Sequence, residues 1–334
     1  MSTLSLTRNG NGVLLKYGDT RLGLDTGLKG TLTLLSHSHS DHTSTLDKAS
    51  RVVATRGTID TLRARGGSGD YKVTTIEYGN TILEEGVMIT ALNAGHVLGS
   101  TMYLAEFDGG PSVLYTGDFN VNDSLVHKAA TATHADVLVM EATYGEPQWV
   151  FPDRREIYRR VITEADNAVD SGSIPRFKAY SLGKAQEAIA LLESGGFSVF
   201  SGNSSIDGVS RAYRKHGIDL KAVPITSADA TDLTSGKCAI VTSSPFHTAR
   251  TLASRFGRKA GENLESLMKD YHLSGWALTE LSWSGIPLSA HTDFNGLIDF
   301  AEKVGPRIVY TFTGFSAEFA SHLSRHGISA VPIL

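Results

Sequence analysis

The 334-residue chain has one cysteine, Cys238, and lacks long apolar runs. A single cysteine excludes an intrachain disulfide and a zinc site built from several thiolates, so histidine and aspartate would have to bind any metal. No stretch approaches the ~20 apolar residues of a membrane-spanning helix. The first ten residues, MSTLSLTRNG, also lack a long apolar core. We therefore expect a cytoplasmic protein without a membrane segment.

The chain also lacks a strong excess of charge. It has 31 Lys and Arg against 35 Asp and Glu, a net charge of −4 at pH 7. This balance neither indicates nor excludes a nucleic-acid binder, because a local basic groove can coexist with an acidic remainder. The length allows two domains, or one large domain with an insertion.

The densest group of metal-binding residue types is the run HSHSDH, which directly follows the apolar stretch 31–35. On an extended backbone His37 and His39 point the same way, because strand side chains repeat every second position. Asp41 and His42 then follow on the turn. This arrangement suits two metal ions about 3.5–4 Å apart, as in two-metal hydrolysis. The alternative is a polar, helix-capping loop that is merely rich in histidine.

Strand ends supply further candidates. A predicted hairpin over 12–25 ends at Asp25, which a turn-initiating role before glycine explains equally well. Catalytic groups collect in loops at strand ends. Three successive predicted strands end near a potential ligand or acid: 87–92 before His96, 112–115 before Asp118, and 137–140 before Glu141.

From Pro152 the pattern changes to alternating helices and strands. A helix over 154–169, a strand over 178–181 and a helix over 183–193 begin a series that predicts an inserted α/β module with a parallel sheet. Beyond about residue 281, Asp293 is predicted to cap a helix. The apolar face of that helix comprises Phe294, Leu297, Ile298, Ala301 and Val304.

In their order, these motifs resemble those of the β-CASP nucleases. The matching motifs are HSHSDH with a preceding Asp25, the Gly-His pair at His96, the Gly-Asp pair at Asp118, EATYG, LGKAQE and SAHTD. LGKAQE and SAHTD distinguish this branch from lactamases, lactonases and glyoxalases. The chain is similar to DNA ligase-associated and other DNA-processing exonucleases and to mRNA 3′-end processing nucleases. The resemblance implies an α/β fold, a metallo-β-lactamase αββα sandwich (1–145 and 283–334) with an inserted α/β β-CASP domain (146–282).

The resemblance also implies residue roles. It assigns six metal ligands: His37, His39 and His96 for a first ion, Asp41 and His42 for a second, and Asp118 bridging both. Asp25 would orient the histidine loop.

Asp41, Glu141 and His291 match catalytic positions, with His291 protonating the leaving oxygen. Lys184 and Ser289 are candidate contacts to a substrate phosphate. Lys184 is explained equally well as a solvated helix residue.

The family's last metal position departs from its pattern here. A histidine before glycine is expected there, and this chain has Thr313 before Gly314. Because a hydroxyl is a poor zinc ligand beside imidazole, we expect one tight Zn²⁺ site and a weaker second site for Mn²⁺, Mg²⁺ or Zn²⁺. In the family, RNA-cutting members usually carry histidine at this position, and DNA-cutting members usually carry a small apolar residue. Threonine is closer in shape to valine than to histidine, which favours DNA as the substrate.

We therefore predict a metal-dependent phosphodiesterase that acts as an exonuclease on single-stranded DNA. A metal-bound hydroxide would attack phosphorus. Nucleic acid is the expected partner, with DNA favoured over RNA and no membrane. The alternatives are an RNA-processing endo- or exoribonuclease of the same family, a small-ester hydrolase and a non-catalytic scaffold.

Overall fold

The computed structural model describes residues 3–234, 236–279 and 284–333. The chain divides into two compact units. The first comprises residues 1–123, 127–150 and 291–334, and the second 124–126 and 151–290. The predicted boundary at residue 283 lies outside the described residues.

Strands and helices are numbered along the chain. The strands are β1 (Leu4–Asn9), β2 (Gly12–Tyr17), β3 (Thr20–Leu24), β4 (Leu32–Leu34), β5 (Arg51–Ala54), β6 (Lys72–Thr75), β7 (Thr81–Glu84), β8 (Val87–Asn93), β9 (Thr101–Phe107), β10 (Ser112–Tyr115), β11 (Val137–Glu141), β12 (Ile174–Lys178), β13 (Ser198–Ser201), β14 (Val223–Pro224), β15 (Cys238–Thr242), β16 (Met268–Leu273), β17 (Gly285–Ile286), β18 (Ile308–Phe312) and β19 (Ala330–Pro332). The helices are α1 (Ser40–Thr43), α2 (Arg56–Ala64), α3 (Arg154–Asp170), α4 (Lys184–Ser194), α5 (Ser204–Lys215), α6 (Ala230–Thr234), α7 (Pro245–Phe256), α8 (Arg258–Ser266), α9 (Phe294–Val304) and α10 (Ser316–Arg325).

The first unit contains two sheets that bury their facing sides. One has the order β1-β2-β3-β4-β5-β6 and the other β19-β18-β11-β10-β9-β8-β7. Leu15 and Leu24 of the first sheet belong to the same apolar core as Ile89, Tyr103 and Val139 of the second. This core excludes water between the sheets, which is the main driving force for stacking them.

Helices cover the outer faces of both sheets. Ile59 and Leu62 of α2 pack with Val52 of the first sheet. On the second sheet, Leu297 of α9 and Phe319 of α10 pack with residues of β11 and β18. The layers are therefore helix, sheet, sheet, helix, which confirms the predicted αββα sandwich.

The α9 helix forms as its sequence predicts. The carboxylate of Asp293 accepts a hydrogen bond from the Gly296 amide at 2.9 Å and satisfies a donor that the first turn leaves free. All five residues of the predicted apolar face are buried.

Two strand predictions are wrong. Strand β9 lies between β8 and β10, so the strands leading to His96, Asp118 and Glu141 are not successive. β9 carries apolar residues on both faces, which removes the alternation that marks a half-exposed strand. The strand predicted at 178–181 is β12, which ends at Lys178. Arg176 of β12 is buried because it pairs with Glu265 and Asp270, and a charged residue at a buried position interrupts the apolar pattern by which the strand would be recognised.

The second unit contains one parallel sheet of order β14-β13-β15-β12-β16-β17. Leu252 of α7 and Leu264 of α8 pack with Ile174, Phe200 and Ile240 of the sheet. The alternation of strands with helices in the sequence thus yields the expected parallel α/β arrangement. Among the described residues of both units, no helix is long and apolar enough to span a membrane.

Candidate metal centre

The histidine run begins where β4 ends. The backbone stays extended as far as His39 (φ −67°, ψ 152°), so His37 and His39 project in the same direction. Helix α1 then begins at Ser40 and carries Asp41 and His42 in its single turn. One extended segment followed by one helical turn therefore presents four potential ligands from six residues.

Two loops of the second sheet bring further ligands to this run. His96 lies in the loop after β8, and Asp118 in the loop after β10. Gly117, just before Asp118, has a φ of +54°, and a Cβ there would lie 2.5 Å from the Cβ of Ser36. Only glycine allows this close approach of the two loops, which places Asp118 beside the histidines.

Four side chains converge on one point. The Nε2 of His37 and the Nε2 of His96 lie 3.0 and 3.1 Å from Nδ1 of His39. The carboxylate Oδ2 of Asp118 lies 3.4 Å from Nε2 of His37 and 3.7 Å from Nε2 of His96. Ligands bound to one tetrahedral zinc at about 2.0–2.1 Å are about 3.3 Å apart, so this group fits a single divalent metal ion.

A second group shares Asp118. Nε2 of His42 lies 3.3 Å from Oδ2 of Asp118 and 3.7 Å from Oδ2 of Asp41. The Asp41 side chain is 58% exposed, whereas that of His42 is 2% exposed. The second group therefore offers fewer ligands, and one of them is on the surface.

Asp25 orients the histidine loop from behind. Its carboxylate accepts hydrogen bonds from the Ser36 amide and hydroxyl, at 2.6 and 2.5 Å, and from the Tyr115 hydroxyl at 2.8 Å. It also contacts Nδ1 of His42 at 2.6 Å, which leaves Nε2 of His42 to face Asp118. The Ser36 hydroxyl lies 3.0 Å from Nδ1 of His37 and similarly leaves its Nε2 toward the centre. Such contacts fix the ring orientation of ligating histidines.

Glu141 and His291 lie beside Asp118. Nδ1 of His291 is 3.0 Å from both carboxylate oxygens of Glu141, and Nε2 of His291 is 3.9 Å from Oδ2 of Asp118. Glu141 is held by the Phe119 amide, which donates to it at 2.9 Å, and by the Thr143 hydroxyl. Asp118, Glu141 and His291 could also hold a cation as a group of three.

Burial and neighbouring charges shift the pKa values of the side chains in both groups. Burial lowers the pKa of His37, and it lowers the pKa values of His39 and His96 well below the usual range, so all three favour the neutral form that binds metal. Burial acts in the same direction on His42, but the charges of Asp118 and Asp25 outweigh it and raise its pKa well above the usual range. Burial tends to raise the pKa of Asp118, yet His42 and His291 hold it well below the usual range.

Three further residues were predicted from the sequence: Thr313, Lys184 and Ser289. Thr313 follows β18, is half-buried and has a φ of +57°, and its hydroxyl donates to the Phe312 carbonyl at 2.7 Å. Lys184 and Ser289 belong to the second unit, where both are buried. The Nζ atom of Lys184 lies 4.3 Å from the centre of the Tyr180 ring, and the Ser289 carbonyl accepts a hydrogen bond from Arg154.

Sequence reasoning missed three residues that support the centre, namely Ser36, Tyr115 and Thr143. Ser36 and Thr143 could have been found, because each adjoins a motif and carries a hydroxyl. Tyr115 gives no such signal, since its contact with Asp25 spans 90 positions and depends on the stacking of the two sheets.

Parts of the chain are similar to known proteins. A family model described as a beta-lactamase superfamily domain matches residues 21–173. The chain is 29% identical over 309 residues to a probable DNA ligase of Opitutus terrae, and the match covers 92% of this chain and 29% of that protein. It is 28% identical over 181 residues to an RNase J-like protein of Methanocaldococcus jannaschii, covering 48% of this chain and 43% of that protein. The chain thus spans less than half the length of either relative.

One solved structure matches the chain along its whole length. It is the crystal structure of a protein of unknown function from Enterococcus faecalis V583, with a TM-score of 0.66 and 11% identity. The match covers 100% of this chain and 98% of the other. At this identity the likeness shows a shared fold alone.

Proposed function

We propose that the chain is a metal-dependent nuclease of the β-CASP branch of the metallo-β-lactamase superfamily, a proposal supported by the matched beta-lactamase superfamily domain and by the similarity to a probable DNA ligase and an RNase J-like protein. The proposed reaction is hydrolysis of a phosphodiester bond in single-stranded DNA, and the proposed mode is exonucleolytic. The proposed metal ligands are the six assigned from the sequence: His37, His39, Asp41, His42, His96 and Asp118.

The observation that carries the proposal is the juxtaposition of a metal-binding group with a histidine that is held for proton transfer. Asp118 contacts the histidines of both metal groups and also faces His291. A metal store or a structural metal site needs no such histidine. A phosphodiesterase does, because the alkoxide leaving group must be protonated.

The side chains divide the chemistry between them. Bound divalent metal supplies charge neutralisation and water of lowered pKa. Glu141 accepts the Nδ1 proton of His291 and so fixes the ring with Nε2 toward Asp118. In this orientation His291 delivers a proton from Nε2 to the leaving oxygen. Glu141 is then a positioning residue, and the Phe119 amide and Thr143 hydroxyl keep its carboxylate in place.

For the metal content, we propose one tight Zn²⁺ and a second, weaker site that accepts Mn²⁺, Mg²⁺ or Zn²⁺. The unequal ligand sets support this, since the first group has three buried or half-buried imidazoles and the second has one imidazole and an exposed carboxylate besides the shared Asp118. Oxygen-rich sites with water ligands suit hard cations. Metal analysis should find close to one zinc per chain, and added Mn²⁺ should raise activity. Two full zincs in the unaltered protein would contradict this proposal.

A ribonuclease is the second candidate. The RNase J-like relative supports it, whereas the probable DNA ligase, matched over 92% of this chain, supports DNA. Thr313, in place of the histidine of RNA-cutting relatives, is the sequence feature behind our preference for DNA. We place the protein in the cytoplasm, in keeping with its single, buried cysteine.

One experiment tests the proposal. End-labelled single-stranded DNA and RNA are digested side by side with Mn²⁺, Mg²⁺ or Zn²⁺, and the products are separated by length. We expect stepwise shortening of the DNA, slower loss of RNA, and no products with the Asp118→Ala variant. Equal or faster digestion of RNA would support the ribonuclease, and no digestion of either would reject the nuclease.

A further inference from the structure

The second unit carries an unusual share of the exposed aromatic surface. Among the described residues, four large exposed hydrophobic side chains are aromatic. One of them, Tyr78, belongs to the first unit. The others are Tyr180, Phe246 and Trp276, which are 60%, 66% and 38% exposed. Exposure of large aromatic rings to water is unfavourable, and grouped exposed apolar side chains commonly mark an interaction site.

These three rings follow three neighbouring strands. In the sheet, Lys178 at the end of β12 pairs with Thr242 of β15 on one side and His272 of β16 on the other. Tyr180 comes two residues after Lys178. Phe246 and Trp276 come four residues after Thr242 and His272. Adjacent strands lie about 4.7–4.9 Å apart, so the segments that carry the rings lie side by side along the carboxyl edge of the sheet, and we refer to the three rings as the row.

Cations accompany two of the rings. The ammonium of Lys184 lies 4.3 Å from the centre of the Tyr180 ring, and the guanidinium carbon of Arg250 lies 5.9 Å from that of Phe246. Cations at these distances are attracted to the face of an aromatic ring. Lys184 is buried against Tyr180, whereas Arg250 is exposed beside Phe246, so Arg250 supplies the accessible positive charge next to the rings.

The two edges of the same sheet differ in charge. The segments after the strands, 179–184, 202–206, 243–250 and 274–279, contain no aspartate or glutamate in the sequence. The connections that enter these strands each contain an acid: Asp170, Glu193, Asp232 and Glu265. Asp207 and Glu280 directly follow two of the first segments, and Glu265 is paired with Arg176, so the difference is confined to the residues nearest the strand ends, where the carboxyl edge suits a polyanion.

A cavity of about 870 Å³ extends this edge beyond Phe246. It is lined by Asn203 after β13 and by His247 and Arg250 of α7, among others. Asp207 also lines it, but its carboxylate is paired with Arg211. Space, polar groups and positive charge therefore continue past the last ring of the row.

We propose that Tyr180, Phe246 and Trp276 form a stacking surface for single-stranded nucleic acid. Successive bases lie on the rings, and the phosphates pass the exposed Arg250 beside Phe246. Stacking on aromatic side chains is tolerant of sequence, because every base has a flat face. The inference rests on the proposed function in that it takes the substrate to be nucleic acid. It adds where the strand binds on the second unit and predicts that both DNA and RNA bind there.

Binding is measured separately from cleavage. The probe is a fluorescent single strand of about 12 nucleotides with phosphorothioate linkages, which resist hydrolysis, compared with an abasic strand of the same length and charge. We expect the full chain to bind the strand with bases more tightly than the abasic strand. Tyr180→Ala, Phe246→Ala and Trp276→Ala should each weaken binding of the strand with bases by about five- to a hundredfold and leave abasic binding unchanged.

Two controls separate stacking from general apolar contact. Phe246→Tyr keeps a ring and should bind like the unaltered chain, whereas Phe246→Leu keeps apolar volume and should bind like Phe246→Ala. Leu267→Ala changes a side chain of similar exposure (37%) at the opposite edge of the sheet and should have no effect. Thermal unfolding of each variant verifies that these surface changes leave the fold intact.

Several results would overturn the stacking surface. These are equal binding of the two strands, unchanged affinity in the triple alanine variant, or equal binding by Phe246→Leu and Phe246→Tyr. The last result would indicate an apolar docking surface for another protein instead. Cleavage of an ordinary strand by the unaltered chain with Mn²⁺ tests the nuclease independently. If the chain cleaves DNA but its strand binding does not depend on the three rings, only the stacking surface is rejected. If binding depends on the rings but no strand is cleaved, only the nuclease is rejected.

Discussion

The two halves of the proposed metal centre are built differently although they share Asp118. The first half takes His37, His39 and His96 from two loops that face each other, and their pKa values are lowered by burial. The second half takes Asp41 and His42 from one turn of helix, and the Asp41 side chain is 58% exposed. The core fixes the ligands of the first half, whereas in the second half the contact with Asp25 fixes His42 and only the short helix α1 positions the exposed Asp41.

This difference predicts how each half responds to change. The core between the sheets holds the first half, so it should bind metal tightly and tolerate little alteration. The second half depends on a solvated carboxylate and on the contact between Asp25 and His42. Its occupancy should therefore vary with the metal supplied.

The largest effect on metal content and cleavage is expected from replacing Asp118, which both halves share. Asp118→Ala should remove bound metal and reduce strand cleavage to background, because both groups lose their common ligand. Metal analysis and a digestion assay measure the two effects. Asp108→Ala, a change at an exposed aspartate in the turn between β9 and β10, is the control and should match the unaltered chain. Near-normal turnover by Asp118→Ala would reject a shared metal ligand.

A smaller effect is expected at His291, outside both halves. His291→Ala should slow cleavage by about 10²–10⁴-fold in kcat, since a general acid acts mainly in the transition state. Bound zinc and KM should stay close to their normal values. Glu141→Gln should lower kcat less and change the pH profile of kcat, as expected of a positioning residue. Loss of metal from His291→Ala would instead make His291 a ligand.

The residue behind the second half should affect metal affinity by a smaller factor. Asp25→Asn removes the charge that orients His42, so the divalent metal concentration for half-maximal activity should rise by about 10–100-fold. The tightly bound zinc of the first half should remain. Titration of activity with Mn²⁺, together with zinc analysis of the same preparation, tests the two halves at once. Loss of the first zinc in parallel would show that the halves are not separable.

The smallest effect is expected from completing the second half. Thr313→His should lower the Mn²⁺ or Zn²⁺ concentration needed for activity by about tenfold, because it adds one imidazole ligand to the second half. The backbone at φ +57° accepts histidine more readily than a β-branched threonine, so unfolding should not become easier. Thr313→Gly relieves the same backbone without adding a ligand and serves as the control. If both variants shift the metal requirement equally, the histidine is not binding metal.

Much of the site could be predicted because its ligands lie in short motifs. His37, His39, Asp41 and His42 occupy six positions, and the alternation of an extended strand explains how the first two point together. His96 and Asp118 lie in loops that follow strands, and Glu141 is the last residue of β11. Their roles remain predictions, but their proximity follows from strand ends at one edge. The row formed by Tyr180, Phe246 and Trp276 could not be predicted, because it depends on the strand order β15-β12-β16.

The sequence by itself determined the local chemistry: which residues can bind metal, where the helices begin, and which faces are apolar. These properties depend on neighbours within a few positions, such as Asp293 capping α9. Only the tertiary structure decided which groups meet. The contact between Tyr115 and Asp25, the approach of Gly117 to Ser36, and the placing of β9 between β8 and β10 all join distant parts of the chain. Such contacts result from sheet stacking and close packing, and they cannot be predicted from the spacing of residues in the sequence.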